Sequence, residues 1–260
     1  MKQNTLADKL EIIKKFFTNH SEVAVAFSGG VDSAVLLMLA KKYAKRVKAY
    51  FVKSQFQPRF ELDDAIKITE FLNAETQVIN VDILAFENIA ANPKNRCYFC
   101  KQQVFKAITE KARSDGFYVI LDGTNASDDI SDRPGYKALQ ELKVLSPLKE
   151  CGLTKAEIRQ LAKDNSLFVY NKPSYACLAT RIPSKTAIKS EILTVTENAE
   201  NELRAMGFKN FRIRYIQGDA KIELGKNDFA LMFEKKDSVY SALKKYYNNV
   251  YLDLKERADE

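Results

Sequence analysis

The chain has 260 residues, 46% hydrophobic and 29% charged, the balance of a globular protein with a sizeable core. Its longest apolar runs fall far short of the ~20 residues that span a bilayer, and no secretory leader pattern opens it, so a cytoplasmic protein with no membrane partner is expected. The formal net charge of +7 suits phosphate-rich ligands, although lysines spread along a chain also serve solubility, and a nucleic-acid partner is not expected. The only histidine is His20. It falls at the polar end of the first helix and is expected to be exposed, which leaves little room for histidine-based acid–base chemistry.

Residues 5–19 read as an amphipathic helix, with Leu6, Leu10, Ile13, Phe16 and Phe17 at helical spacing. The apolar run 23–27 reads as a strand. Ser28-Gly29-Gly30-Val31-Asp32-Ser33 follows, and a helical run from Ala34 continues to about Lys45. A strand, a glycine turn and a helix start form an anion site. The first helical turn has unpaired N–H groups and a partial positive charge, and two glycines let the backbone approach a phosphate. Ser28 and Ser33 add hydroxyls. Asp32 is out of place beside a phosphate unless it orients the loop or helps to hold a divalent metal. A capped turn with no ligand would have the same outline, but six residues matching a known signature in this context favour the anion site.

Strands are expected at 47–52, 76–81 and 118–121, and helices at 63–72 and 99–113, the latter stopped by Gly116. This alternation predicts an α/β fold, a parallel Rossmann-like sheet with helices on both faces. Ligands in such sheets bind beyond the carboxyl ends of the strands. The glycine loop, Lys53-Ser54 and Asp122-Gly123-Thr124-Asn125 all fall there. Thr154 to Glu157 reads as a capping box opening a helix to Lys163. Pro183-Ser184 marks a boundary, giving domains at 1–183 and 184–260. The second domain is expected to be a small α+β unit for substrate binding or oligomerisation. Its expected elements are a helix at 190–206, strands at 211–216 and 221–224, helices at 227–234 and 237–246, and a strand at 249–253.

Four cysteines stand at 97, 100, 151 and 177. Cys97 and Cys100, in Asn95-Arg96-Cys97-Tyr98-Phe99-Cys100-Lys101, are spaced to share a metal or a cluster. Zinc, an iron–sulfur cluster, a redox dithiol or two plain thiols at a helix start all fit that pair. Cys177, in Lys172-Pro173-Ser174-Tyr175-Ala176-Cys177-Leu178-Ala179-Thr180-Arg181, is the third candidate ligand. Cys151 has no partner in sequence and reads as a packing thiol. Asp128, Asp129 and Asp132 offer hard oxygens for Mg²⁺. Lys101, Arg133 and Arg181 are candidate binders of substrate carboxylate or phosphate. Arg212 and Arg214 share one face of a strand.

SGGVDS at 28–33 resembles the signature of the PP-loop ATP pyrophosphatases. With NRCYFC, DGTNASDD, DRPG, GLTK and KPSYACLATRIP in that order, the chain closely resembles the LarE-type ATP-dependent sulfurtransferases of nickel-pincer cofactor synthesis. The resemblance is strong over about residues 20–185. It implies an adenine nucleotide alpha hydrolase-like sheet binding ATP and Mg²⁺ through Ser28, Gly29, Gly30, Asp32, Ser33, Ser54, Gly123, Thr124 and Asn125, with Asp128 a candidate Mg²⁺ ligand. It implies adenylylation of a carboxylate of pyridinium-3,5-biscarboxylic acid mononucleotide, a small-molecule nucleotide, and then sulfur delivery with release of AMP. Asp32, Cys177 and Arg181 would be catalytic, and Lys101, Arg133, Arg212 and Arg214 substrate-binding.

The family has two variants. In one, a lone cysteine matching Cys177 gives up its own sulfur. In the other, three cysteines hold a 4Fe–4S cluster that carries an exchangeable sulfide. Cys97, Cys100 and Cys177 place this chain with the second, fed by sulfide or another sulfur donor. A homo-oligomer is expected. The competing readings are a PP-loop tRNA thiolase, a ligase or synthetase with structural cysteines, and an iron–sulfur sensor.

Overall fold

The computed structural model describes residues 5–129 and 134–257, which pack as two units. The first unit takes in residues up to Ser54, Arg59–Val81 and Asn95–Lys172. Its centre is a four-stranded parallel sheet: β1 (Glu22–Ala26), β2 (Arg46–Lys53), β3 (Thr76–Asn80) and β4 (Ile120–Leu121), in the order β3-β2-β1-β4. Its longer helices are α1 (Leu6–Asn19), α2 (Val31–Tyr43), α3 (Arg59–Phe71), α4 (Arg96–Ser114), α5 (Pro134–Glu141) and α6 (Lys155–Asp164).

Strand alternation explains the layering. Val23, Val25, Ala49, Phe51 and Leu121 point to one face and meet Ile13 and Phe17 of α1, the apolar side of α2, Ala65 and Ile68 of α3, and Ile158 of α6. Ala24, Tyr50, Val52 and Ile120 point to the other and meet Phe105, Ile108 and Ala112 of α4 and Leu139 of α5. Both faces are covered, as a parallel sheet requires. Burying a side chain such as Phe51 contributes about 1.5–3 kcal/mol. The α/β expectation is met. β4 covers only Ile120–Leu121 of the expected 118–121, and the Asp122 amide that follows it donates to the Leu145 carbonyl (3.0 Å).

The second unit takes in residues from Pro173 on, together with Gln55–Pro58 and Asp82–Lys94. It contains α7 (Ser190–Ala205), β5 (Phe211–Ile216), β6 (Asp219–Leu224), α8 (Phe229–Leu243) and β7 (Val250–Leu252). β5 and β6 are antiparallel, β6 and β7 parallel. Ala199, Leu203, Phe211, Ile213, Ile222, Met232 and Leu243 form its core. The two helices expected between 227 and 246 are one. Lys235-Lys236-Asp237 looks like a break but contains no glycine or proline, and the helix runs through it. No helix among the described residues is long and apolar enough to cross a membrane.

Candidate active site

The glycine loop leaves β1 at the centre of the sheet, where neighbouring connections run in opposite directions. Such a switch point opens a crevice at the strand ends. Gly30 is the N-cap of α2 and contributes no side-chain cap, so the first turn of the helix opens onto the loop. Ser33 Oγ donates to the Gly30 carbonyl (3.1 Å) and stands 3.1 Å from Ser28 Oγ, which ties the loop to the helix. Gly29 has φ +75°, and a Cβ there would lie 3.2 Å from Ala65 Cβ of α3. Both conformation and space therefore call for glycine.

The loop after β4 closes on the same helix start. A Cβ on Gly123 would stand 3.0 Å from the Ser33 amide nitrogen and 3.3 Å from Asp32 Cβ. Asp122 is buried and accepts from Ser146 Oγ (2.6 Å) and from the Thr124 hydroxyl. Asn125 Oδ1 accepts from the Ser127 amide (2.8 Å), and the Asn125 amide donates to Asp128 Oδ2 (3.0 Å), so Asp128 braces this turn. Ser54 is buried at the end of β2.

Asp32 is where sequence reasoning was incomplete. Its Oδ1 accepts from Asn125 Nδ2 (3.3 Å), and its Oδ2 pairs with Lys155 Nζ at 2.5 Å. Lys155 is the first residue of α6, and its amide donates to Ser127 Oγ (2.9 Å). The expected capping box is present, with Thr154 and Glu157 bonded reciprocally, and Lys9 of α1 holds Glu157 at 2.8 Å. Three chain segments thus meet at Asp32. The GLTK stretch was visible in the sequence, but not that its lysine reaches the glycine loop.

The thiols are divided between the units. α4 begins at Arg96, earlier than expected, so Cys97 and Cys100 both lie on its first turn, Cys97 exposed and Cys100 half-buried. The Arg96 guanidinium donates to Cys97 Sγ at 3.8 Å. Lys101 lies along Phe105, its Nζ 5.1 Å from the ring centre. In the second unit, half-buried Cys177 caps the short 3₁₀ turn Leu178–Arg181. Arg181 has no exposure. It pairs with Glu200 (2.6 Å) and donates to the Ala176 carbonyl (3.0 Å), so it anchors the backbone beside Cys177. Glu200 also accepts from Tyr175 (2.6 Å) and Arg204 (3.3 Å). Desolvation and the Glu200 charge together push the Tyr175 phenol far up. Arg214 donates to the Thr180 carbonyl and pairs with Glu223 (2.8 Å), and Arg212 is buried on the same strand face. Arg133 and Asp132 lie outside the described residues.

None of the four cysteines is in a disulfide. Among the described residues no three His, Cys, Asp or Glu side chains gather as a metal site. Cys97 and Cys100 put two soft thiols about one helical turn apart on α4, and Cys177 stands on a turn braced by Arg181. Cys151 is buried, which pushes its thiol up to about 11. Its thiol therefore stays protonated at pH 8. In reduced, iron-free protein, iodoacetamide at pH 8 should therefore modify exposed Cys97 and spare Cys151, read by peptide mass mapping. Early labelling of Cys151 would contradict its packing role. His20 is half-buried rather than exposed. Its ring stacks on Phe16 at 4.5 Å, a structural contact.

Residues 2–132 match the PP-loop domain family. An uncharacterized protein of Synechocystis is 34% identical over 221 residues, 84% of this chain and 82% of that protein. The pyridinium-3,5-bisthiocarboxylic acid mononucleotide synthase of Lactiplantibacillus plantarum is 31% identical over 222 residues, 85% of this chain and 80% of that enzyme. A tRNA-specific 2-thiouridylase of Thermotoga petrophila is 27% identical over 202 residues, 68% of this chain and 52% of that enzyme.

Proposed function

This chain belongs to the PP-loop family, in its LarE-type sulfurtransferase branch, and on that footing we propose that it converts a carboxylate of pyridinium-3,5-biscarboxylic acid mononucleotide into a thiocarboxylate at the expense of ATP. What carries this reading is the extent of the likeness. The 222 residues aligned with the Lactiplantibacillus plantarum synthase run well beyond the PP-loop domain at 2–132.

The chemistry has two steps. A carboxylate is a poor electrophile. Its oxygen attacks the α-phosphorus of ATP, the bond to the bridging oxygen breaks, and pyrophosphate leaves. In the mixed anhydride, a sulfide nucleophile then adds to the carbonyl carbon and AMP departs with the former carboxylate oxygen. The amides of the glycine loop, Ser28 and Ser33 would hold the charge that builds on pyrophosphate. Gly123, Thr124, Asn125 and Ser54 would border the nucleotide, and Asp32, with Asp128, would orient Mg²⁺. Cys97, Cys100 and Cys177 would hold a 4Fe–4S cluster, which supplies an exchangeable sulfide when bound. Arg181 keeps the Cys177 segment in place. Lys101, Arg133, Arg212 and Arg214 are the proposed substrate cations, and the second unit would bind substrate or join copies in a homo-oligomer.

The test is anaerobic incubation of iron-loaded protein with ATP, Mg²⁺, sulfide and the pyridinium mononucleotide. AMP and thiocarboxylate should form in equal amounts, and tRNA should not be needed. AMP formation that depends on tRNA would move the chain to the tRNA thiolases, which share its PP-loop domain.

A further inference from the structure

The proposed ATP site contains a charge problem. A carboxylate, Asp32, stands on the first turn of α2, where the triphosphate should bind. Lys155 resolves it. Its ammonium closes on Asp32 Oδ2 at 2.5 Å, from a helix that starts 123 residues later in the chain. Neither side chain is sealed off: Lys155 is 29% exposed and Asp32 24%. The pair is therefore held but reachable by a ligand.

The base of Lys155 is fixed while its tip is not. Its amide is anchored on Ser127, Thr154 and Glu157 cap its helix, and Lys9 holds Glu157. A four-carbon stem on a fixed backbone can swing its charge over a few ångströms at little cost. We propose that Lys155 is a pyrophosphate-binding residue, which passes from Asp32 to the β- and γ-phosphates when ATP binds. This rests on the reading of the site as an ATP site. The exchange replaces one charge-assisted bond with another. It leaves the Asp32 carboxylate to the magnesium ion that accompanies ATP. The Lys155 ammonium thus offsets the Asp32 carboxylate at the loop until the nucleotide arrives.

Two roles for Lys155 can be separated. If it only neutralises Asp32, removing the carboxylate makes the lysine dispensable. If it binds phosphate, the lysine matters whether or not the carboxylate is there. Calorimetry with ATP, AMP and inorganic pyrophosphate on Lys155→Met, Lys155→Arg, Asp32→Asn and the double variant decides between them. Thermal melting checks the fold, and Lys155→Gln replaces Lys155→Met if the latter does not fold. Lys155→Met should weaken ATP and pyrophosphate by about 10- to 100-fold, the worth of one charged hydrogen bond. AMP should change less than about threefold, and Lys155→Arg should keep most ATP affinity. The same loss should recur in the Asp32→Asn background. A double variant that binds ATP as well as Asp32→Asn would overturn the inference, as would an equal loss for AMP and ATP, while leaving the ATP site standing. Wild-type protein that binds neither ATP nor pyrophosphate would overturn the ATP reading, and this inference with it.

Discussion

Asp32→Ala should lower pyrophosphate release from ATP by about two to three orders of magnitude, the scale on which loss of one preorganised charged group at a reacting centre acts. The variant should fold. Asp32 is part-exposed, and its partners Asn125 and Lys155 reach it through side chains, so water can replace the carboxylate. The turn that carries Asn125 has its own braces in Ser127 and Asp128. Iron content should be unchanged, because the three candidate ligand cysteines stand on other segments than Asp32, two on α4 and one before the Leu178–Arg181 turn. The measurement is coupled pyrophosphate release with iron analysis on one preparation. Wild-type rates would remove Asp32 from the ATP site. Joint loss of iron and activity would instead mean a folding defect.

The parts of this molecule that could be read in the sequence are those set by neighbours along the chain. The apolar run before Gly29 and Gly30 marks β1, and Gly29 supplies the left-handed φ of +75° that the turn out of β1 takes. Thr154 and Glu157 announce the start of α6 by spacing alone, and both capping bonds are present. Asn95, a favoured N-cap residue, was the signal that α4 starts before Cys97. Nothing local marks Lys155 as the partner of Asp32, because that contact exists only once α6 has packed on α2. Arg181 is a similar case. An arginine after a cysteine looks like a ligand for anions. Only the fold brings Glu200 of α7 to it and makes it a buried brace. Interior charges of this kind persist where they are paired and hydrogen-bonded, and removing one partner commonly costs about 3–5 kcal/mol.

Cys177→Ala should abolish sulfur transfer while adenylylation continues within about threefold of wild type, since this thiol sits in the second unit and the glycine loop in the first. The change removes only a sulfur from a half-buried position, and the segment keeps its anchors, Arg181 on Ala176 and Tyr175 on Glu200. The variant should therefore make AMP from the mixed anhydride by slow hydrolysis but no thiocarboxylate. How Cys177 acts is decided by its mass after turnover. A ligand thiolate is unchanged by the reaction, and added sulfide then supports many turnovers. A sacrificial cysteine breaks its own Cβ–S bond and loses roughly 34 Da as it becomes dehydroalanine, after one turnover. The expected result is an intact Cys177 and repeated turnover, with cluster absorbance lost in Cys97→Ala, Cys100→Ala and Cys177→Ala alike and retained in Cys151→Ala. Cys151 is packed in the core of the first unit. Dehydroalanine at position 177 with no iron requirement would replace the cluster reading by the sacrificial one and leave the ATP chemistry as it stands. Absorbance that survives in Cys97→Ala would break the three thiols apart as a unit.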